Sequence, residues 1–189
     1  EAERTAAENE HSYGNMTAAC TASLYLTNEF LTGGFGCPCR GGRSQRGQDI
    51  IGDALDRSMA WINANFSPTT SPKGYHYYYW IYQAERVGIA TGYRYFGTHD
   101  WYREIAANLV ATQAGDGHWG NTVQTCFAVL FLVKGRGAIL YNKLQYPGGD
   151  WNPHNYDLPN LTAYIADAKE QNILWQVLQS TTPTDLWHD

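Results

Sequence analysis

The hydrophobic positions of this chain alternate between segments that are apolar almost all round and segments with one polar face. Residues 16–26, 75–87 and 122–133 are of the first kind, whereas residues 53–66 and 100–113 carry polar side chains on one face of a helical period. Stacked helical hairpins produce this order, because an inner helix is buried on most sides and an outer helix keeps one face in water. The pattern therefore predicts helices that pair as hairpins.

The two amphipathic segments also resemble each other. Asp53 aligns with Asp100 at an offset of 100 − 53 = 47 residues, and both begin a helical period. An Asp in this place is a preferred N-cap, because its carboxylate accepts a hydrogen bond from a first-turn N–H. Glycines near the ends of the periodic segments predict helix termini, and they are Gly92, Gly115, Gly117 and Gly135.

The pattern changes after Gly137. Residues 138–146 have an extended, strand-like character, and Pro147-Gly-Gly149 predicts a turn. Residues 158–169 return to a helical period, with Pro159 in the first turn. The apolar residues 173–178 predict a further short helix. We therefore expect repeats over residues 1–137, and an extended loop with C-terminal helices over residues 138–189 that packs on the same domain.

A short motif closes the second amphipathic segment and carries a family resemblance. Gln113-x3-Gly117-x-Trp119 resembles the QW signature of squalene-hopene cyclases and prenyltransferase-type repeats, and residues 16–24 and 125–132 resemble their inner helices. The resemblance covers roughly residues 10–135. It implies an all-α fold, an α/α toroid of inner and outer helices. Because the chain has about half the hairpins of a closed toroid, we expect a partial toroid, a fragment, or one half of an assembly.

A narrower resemblance is to uncharacterised bacterial toroid-repeat proteins. It rests on Tyr82-x2-Glu85-Arg86, His99-Asp-Trp-Tyr-Arg103, Asn142-Lys-Leu, Asp150-Trp-Asn152 and Asn160-Leu-Thr-x-Tyr164. In those proteins a separate C-terminal domain follows the repeats, which implies that this domain is one partner of the chain.

The catalytic motifs of the cyclases and prenyltransferases are missing from the sequence. The chain has neither the Asp-x-Asp-Asp acid nor the Asp-x-Cys zinc spacing, so we expect no cofactor and no carried-over chemistry. Glu85 and Asp116 are the candidate catalytic carboxylates. For Glu85, an ion pair with Arg86 or Arg103 is the favoured alternative, since a Glu on an apolar helix is rarely left unpaired.

An aromatic run at residues 75–82 is the strongest candidate for a ligand-binding wall. Its sequence is Tyr-His-Tyr-Tyr-Tyr-Trp-Ile-Tyr, and the candidate ligand contacts are Tyr75, Tyr78, Tyr79 and Tyr82. Tyrosine suits an apolar surface that must also offer a hydrogen-bonding group. The alternative is that these rings are core spacers with satisfied hydroxyls.

Two loops add further candidates. Arg40, Arg43 and Arg46 place three guanidinium groups just before an outer helix, where they suit an anionic group. A solvated loop is the alternative. Trp151, with Asp150, Asn152 and His154 beside it, suits a sugar ring, and the alternative is a Trp that anchors a crossing loop.

Cysteine spacing predicts no metal site. Cys37 and Cys39 lie two residues apart in a Gly-rich loop and are weak candidates for a soft metal. A zinc site of four cysteines normally shows two Cys-x2-Cys pairs. A loop disulfide or free thiols are therefore favoured over a metal.

Charge and hydropathy exclude two classes of partner. Lys and Arg number 13 against 18 Asp and Glu, a net charge of −5, which argues against nucleic-acid binding. The longest apolar run, residues 126–133, is far shorter than the ~20 residues that a membrane-spanning helix needs. The polar first ten residues lack the apolar core of a signal peptide, and the compartment stays open.

These observations leave three functional classes. We expect a non-catalytic binding or assembly module that uses the aromatic run and the Arg-rich loop. Its partner is a protein or the chain's own C-terminal domain, its ligand is apolar or a glycan, and it is a candidate oligomer. The alternatives are an enzyme acting on an isoprenoid or other apolar substrate, and a glycan-active α/α-barrel enzyme.

Overall fold

The computed structural model describes residues 12–33, 45–133, 137–148, 151–152, 156–171 and 173–187. In these ranges the helices are α1 (Gly14–Gly33), α2 (Gln45–Asn65), α3 (Tyr77–Thr91), α4 (Trp101–Thr112), α5 (Thr122–Val133) and α6 (Asp157–Lys169). The strands are β1 (Tyr95–Phe96), β2 (His99–Asp100), β3 (Ala138–Gln145) and β4 (Ile173–Gln179). A 3-10 turn, Thr184–Leu186, follows β4.

The fold is mixed α/β, and the prediction of an all-α toroid is wrong. β1 and β2 form a short antiparallel pair, whereas β3 and β4 pair in parallel, with Ala138 opposite Ile173 and Gln145 opposite Gln179. α6 connects β3 to β4, so residues 138–179 form a β-α-β unit rather than an extended loop followed by helices.

The error lies in one apolar run. The strand-like character of residues 138–146 and the helix over residues 158–169 are both confirmed, but the helix predicted at residues 173–178 is the strand β4. The six mostly apolar residues 173–178 fit a buried strand as well as a helix. The outcome depends on β3, which offers the hydrogen-bonding partner and lies far away in the sequence.

α3 is the central helix of the helical part. It packs against α1 on one side and α5 on another, while α1 also contacts α2. The largest fully buried side chains come from this arrangement, and they include Trp80, Trp101, Phe96, Phe131 and Ile62. The apolar character of residues 75–87 is explained by this central position.

The predicted helix termini are partly confirmed. The Asp100 carboxylate caps α4 by accepting from the Arg103 N–H at 3.2 Å. Asp53, in contrast, lies inside α2, because the helix already begins at Gln45. Gly92 ends α3 in the left-handed region, at φ 69°, and its N–H donates to the Gly88 carbonyl. Gly117 also has a positive φ, while Gly135 lies outside the described residues.

The segment after Gly92 joins the helical part to the β-α-β unit. The Val177 N–H of β4 donates to the Gly92 carbonyl at 2.7 Å, and the Arg94 N–H donates to the Val177 carbonyl at 3.4 Å. These bonds hold the edge of β4 against the end of α3. The space beside this junction is the candidate site.

Candidate functional site

Two adjoining cavities of about 240 and 410 Å³ lie where α1, α2 and β4 meet. Both are lined by Tyr25, Asp56, Tyr93 and Val177. We call the combined space the Asp56 cleft. Its size is in the range of small-molecule pockets, which typically measure ~300–1,000 Å³.

Separate parts of the chain build the walls of the Asp56 cleft. Tyr25 lies on α1 and Asp56 on α2, while Tyr93 follows the C-cap of α3. Trp175 and Val177 come from β4, where the hydrogen bonds to Gly92 and Arg94 fix the strand. The cleft therefore exists only where the helical part and the β-α-β unit meet.

One end of the Asp56 cleft is aromatic. Trp151, Tyr156 and Trp175 line it together with Asn28 and Asn152. The Asn28 amide donates to the Tyr156 hydroxyl at 2.8 Å, which ties the start of α6 to α1. This end combines apolar ring surface with amide groups that donate and accept hydrogen bonds.

The middle of the Asp56 cleft combines a carboxylate with two tyrosine hydroxyls. Burial raises the pKa of Tyr25, and the neighbouring Tyr93, Asp56 and Tyr156 raise it further. Burial, and then Asp56, also raises the pKa of Tyr93. Both hydroxyls therefore stay protonated at neutral pH beside the exposed Asp56 carboxylate. The cleft can therefore accept hydrogen bonds at Asp56, and it can both donate and accept them at the two tyrosine hydroxyls.

A buried arginine supports the wall beside Tyr93. Arg94 Nε and Nη2 each lie 3.0 Å from Asp100 Oδ2, and the Arg94 side chain is 5% exposed. Arg94 Nη1 donates to the Leu186 carbonyl. The same Asp100 caps α4, so this ion pair links α4, the segment after α3 and the 3-10 turn.

The predicted aromatic run lies elsewhere. The Tyr79 and Tyr82 rings pack on Phe127 of α5, with centroids 5.7 and 5.3 Å apart. Tyr78 contacts Tyr77 edge to face, and Tyr75 is 68% exposed. None of the four predicted tyrosines lines the Asp56 cleft. Three of them therefore contact other aromatic rings of the helical part.

The two candidate carboxylates also lie outside the Asp56 cleft. Glu85 is buried on α3. Arg86, its predicted partner, donates to the Tyr82 hydroxyl at 3.3 Å and lies over the Tyr82 ring. Asp116 is exposed in the turn before α5, 3.2 Å from His118 Nε2.

The predicted loop residues differ in their outcome. Trp151 and Asn152 line the Asp56 cleft, a position that fits both the sugar-binding interpretation and a Trp that anchors a loop. Arg40, Arg43, Cys37, Cys39, Asp150 and His154 lie outside the described residues, and Arg46 is described only as part of the backbone of α2.

Sequence reasoning missed most of the cleft. Tyr25, Asp56 and Trp175 belong to three different elements and Tyr93 to the segment after α3, and no spacing rule relates the four. Asp56 in particular is one of three acidic residues in the sequence of α2. Only contacts between distant elements identify these four residues.

Within the described ranges, no three His, Cys, Asp or Glu side chains gather in a way that suits a metal ion. None of the described helices is both long and apolar enough to cross a membrane. Comparison with protein-family models, with curated proteins and with solved structures finds no match for this chain.

Proposed function

We propose that this chain is a binding module that holds a polyhydroxylated ligand, a short glycan, in the Asp56 cleft. One observation carries the proposal, namely that two tryptophan rings line the same cleft as a carboxylate and two side-chain amides. The rings are those of Trp151 and Trp175, and the polar groups belong to Asp56, Asn28 and Asn152.

A pyranose ring suits this combination for a physical reason. One face of the sugar carries C–H groups, which pack on an aromatic ring, and its edge carries hydroxyls. A carboxylate accepts two hydroxyl hydrogen bonds at once, and bonds to a charged acceptor are stronger than neutral ones. Asp56 therefore orients the ligand while the rings provide contact area.

The number of acidic side chains in the cleft favours binding over hydrolysis. Most glycosidases need two carboxyl groups about 5–10 Å apart across the scissile bond. Asp56 is the single acid among the described residues that line the cleft. The cleft thus supplies recognition without the second catalytic group.

Calorimetric titration of the chain with a panel of linear oligosaccharides tests the proposal. We expect one sugar class to bind, and Asp56→Asn to weaken it about tenfold, because a hydrogen bond to a charged acceptor is worth about 1.5–3 kcal/mol and one to a neutral amide oxygen about 0.5–1.5 kcal/mol. Trp151→Ala should weaken the same sugar about tenfold through lost stacking.

Asp53→Asn is the matched control, since Asp53 is also an exposed acid on α2 but does not line the cleft. Its affinity should equal that of the wild type. Absence of binding across the panel would refute the glycan proposal. Release of new reducing ends from a bound sugar would refute the non-catalytic assignment.

A further inference from the structure

The outer face of α5 presents an apolar stripe to solvent. Val123 is 62%, Leu130 50% and Val133 48% exposed, and Cys126 and Val129 are exposed as well. Residues 122–133 contain no Asp, Glu, Lys, Arg or His. A helix that is apolar on every side is normally buried on every side, so the exposed stripe indicates a contact surface.

The inner face of α5 is already fixed by the rest of the chain. Ala128 and Phe131 are fully buried, and Phe127 packs on Tyr79 and Tyr82 of α3. The Tyr102 hydroxyl of α4 donates to the Leu132 carbonyl at 3.1 Å. These contacts hold α5 in one orientation. The helix therefore cannot rotate to bury the stripe, and the stripe stays on the surface.

The spacing of the stripe fits a second copy of the same helix. Val123, Cys126, Leu130 and Val133 are separated by three, four and three residues, which is the a/d spacing of a two-helix seam. This spacing is the same in both directions along the helix. An antiparallel copy of α5 would place Val123 opposite Val133 and Cys126 opposite Leu130, so the stripe complements itself about a twofold axis.

Charge and dipole favour the same partner. The uncharged stripe brings no like charges together when two copies meet, and it offers no ion pair to a charged protein surface. Antiparallel helices also oppose their macrodipoles.

We propose that two copies of this chain associate through an antiparallel pair of α5 helices, with Val123, Cys126, Leu130 and Val133 at the centre of the interface. Because the seam spans only about three helical turns, the interface belongs to the small, transient class. We expect a weak association, with a dissociation constant on the order of 100 µM.

Sedimentation of the complete chain over a concentration series tests the proposal. The mass should rise from one copy toward two, and Leu130→Lys should keep the protein monomeric by placing two buried ammonium groups in the seam. Leu161→Lys is the matched control, because Leu161 is 44% exposed on α6, which packs on β3 and β4. It should associate like the wild type. The proposal is overturned if the wild type stays monomeric up to about 1 mM, a concentration well above the expected dissociation constant. It is also overturned if Leu161→Lys loses association as completely as Leu130→Lys.

Cross-linking provides a second test that does not depend on a folded Leu130→Lys protein. A variant with Cys126 as its sole cysteine should form a covalent dimer with a short bismaleimide. A variant with Cys20 alone, which is exposed on α1, should not. Equal yields from the two variants, or no dimer from Cys126, would contradict the α5 interface.

Discussion

The two aromatic regions of this chain are assembled in opposite ways. The run at residues 75–82 is contiguous and belongs to α3 and the residues before it. The rings of the Asp56 cleft come from α1, the segment after α3, β4 and the segment before α6. The contiguous rings contact each other, Phe127 and Phe66. The dispersed rings surround a cavity.

The reason is geometric. Successive residues of a helix point about 100° apart, so a contiguous run covers all sides of one helix and packs into its neighbours. A concave surface needs walls that face each other, and these come from different elements. A dense aromatic segment is therefore a signal for packing, and a binding site needs long-range contacts.

The strongest test of this difference removes the ion pair behind the cleft. Asp100→Ala leaves Arg94 buried without its carboxylate and removes the cap of α4, and we expect a loss of about 3–5 kcal/mol in the free energy of unfolding. Asp100→Asn keeps a capping oxygen and should cost less. Chemical denaturation measures both. Equal losses would show that charge pairing contributes nothing here.

A smaller effect is expected at the junction itself. A Cβ at Gly92 would lie 2.4 Å from the Trp175 ring, and the residue has φ 69°. Gly92→Ala should therefore cost about 2–4 kcal/mol, from left-handed strain and from displacement of the ring, and should weaken any cleft ligand.

Gly115→Ala is the control for that change, because no atom lies within 4 Å of its added Cβ. Its stability should match that of the wild type. A Gly92→Ala protein with unchanged stability would show that Trp175 moves freely, which contradicts a fixed cleft wall.

The aromatic run should affect stability without affecting binding. Tyr82→Ala removes the contact with Phe127 and the Arg86 guanidinium over the ring. We expect a loss of about 1–2 kcal/mol in unfolding free energy and the same ligand affinity by calorimetry. Loss of affinity in this variant would place the binding surface on α3 after all.

The smallest effect is a change in the pH dependence of stability, which appears at alkaline pH. Burial raises the pKa of Tyr77 to about 12, although the hydrogen bond from Asn108 acts in the opposite direction. A raised pKa in the folded state means that stability is constant below the unfolded value near 10 and falls as the pH rises toward 12. Tyr77→Phe should therefore show a shallower decline of unfolding free energy between pH 10 and about 12.

Denaturation at a series of pH values measures this decline. The Tyr77 hydroxyl also donates to the Pro68 carbonyl at 2.7 Å, so the variant should be about 1 kcal/mol less stable at neutral pH. Identical pH slopes in the two proteins would contradict a buried, protonated Tyr77.

The sequence by itself determined those helices whose signal is local. The helical segments in residues 16–26, 75–87, 122–133 and 158–169 are confirmed, as are the Asp100 cap and the Gly92 terminus. The hydrophobic period, the helix caps and the glycine conformations each depend on residues only a few positions apart. They can therefore be recognised in the sequence alone. Trp151 and Asn152 are the part of the cleft that a local motif indicated.

Tertiary structure decided the fold class and the cleft. β4 is a strand because β3 lies beside it, and the prediction of an all-α toroid is wrong for that reason. Tyr25, Asp56, Tyr93 and Trp175 meet because backbone hydrogen bonds hold β4 against the end of α3. Pairing between distant segments depends on the whole arrangement of the chain, and no periodicity in the sequence records it.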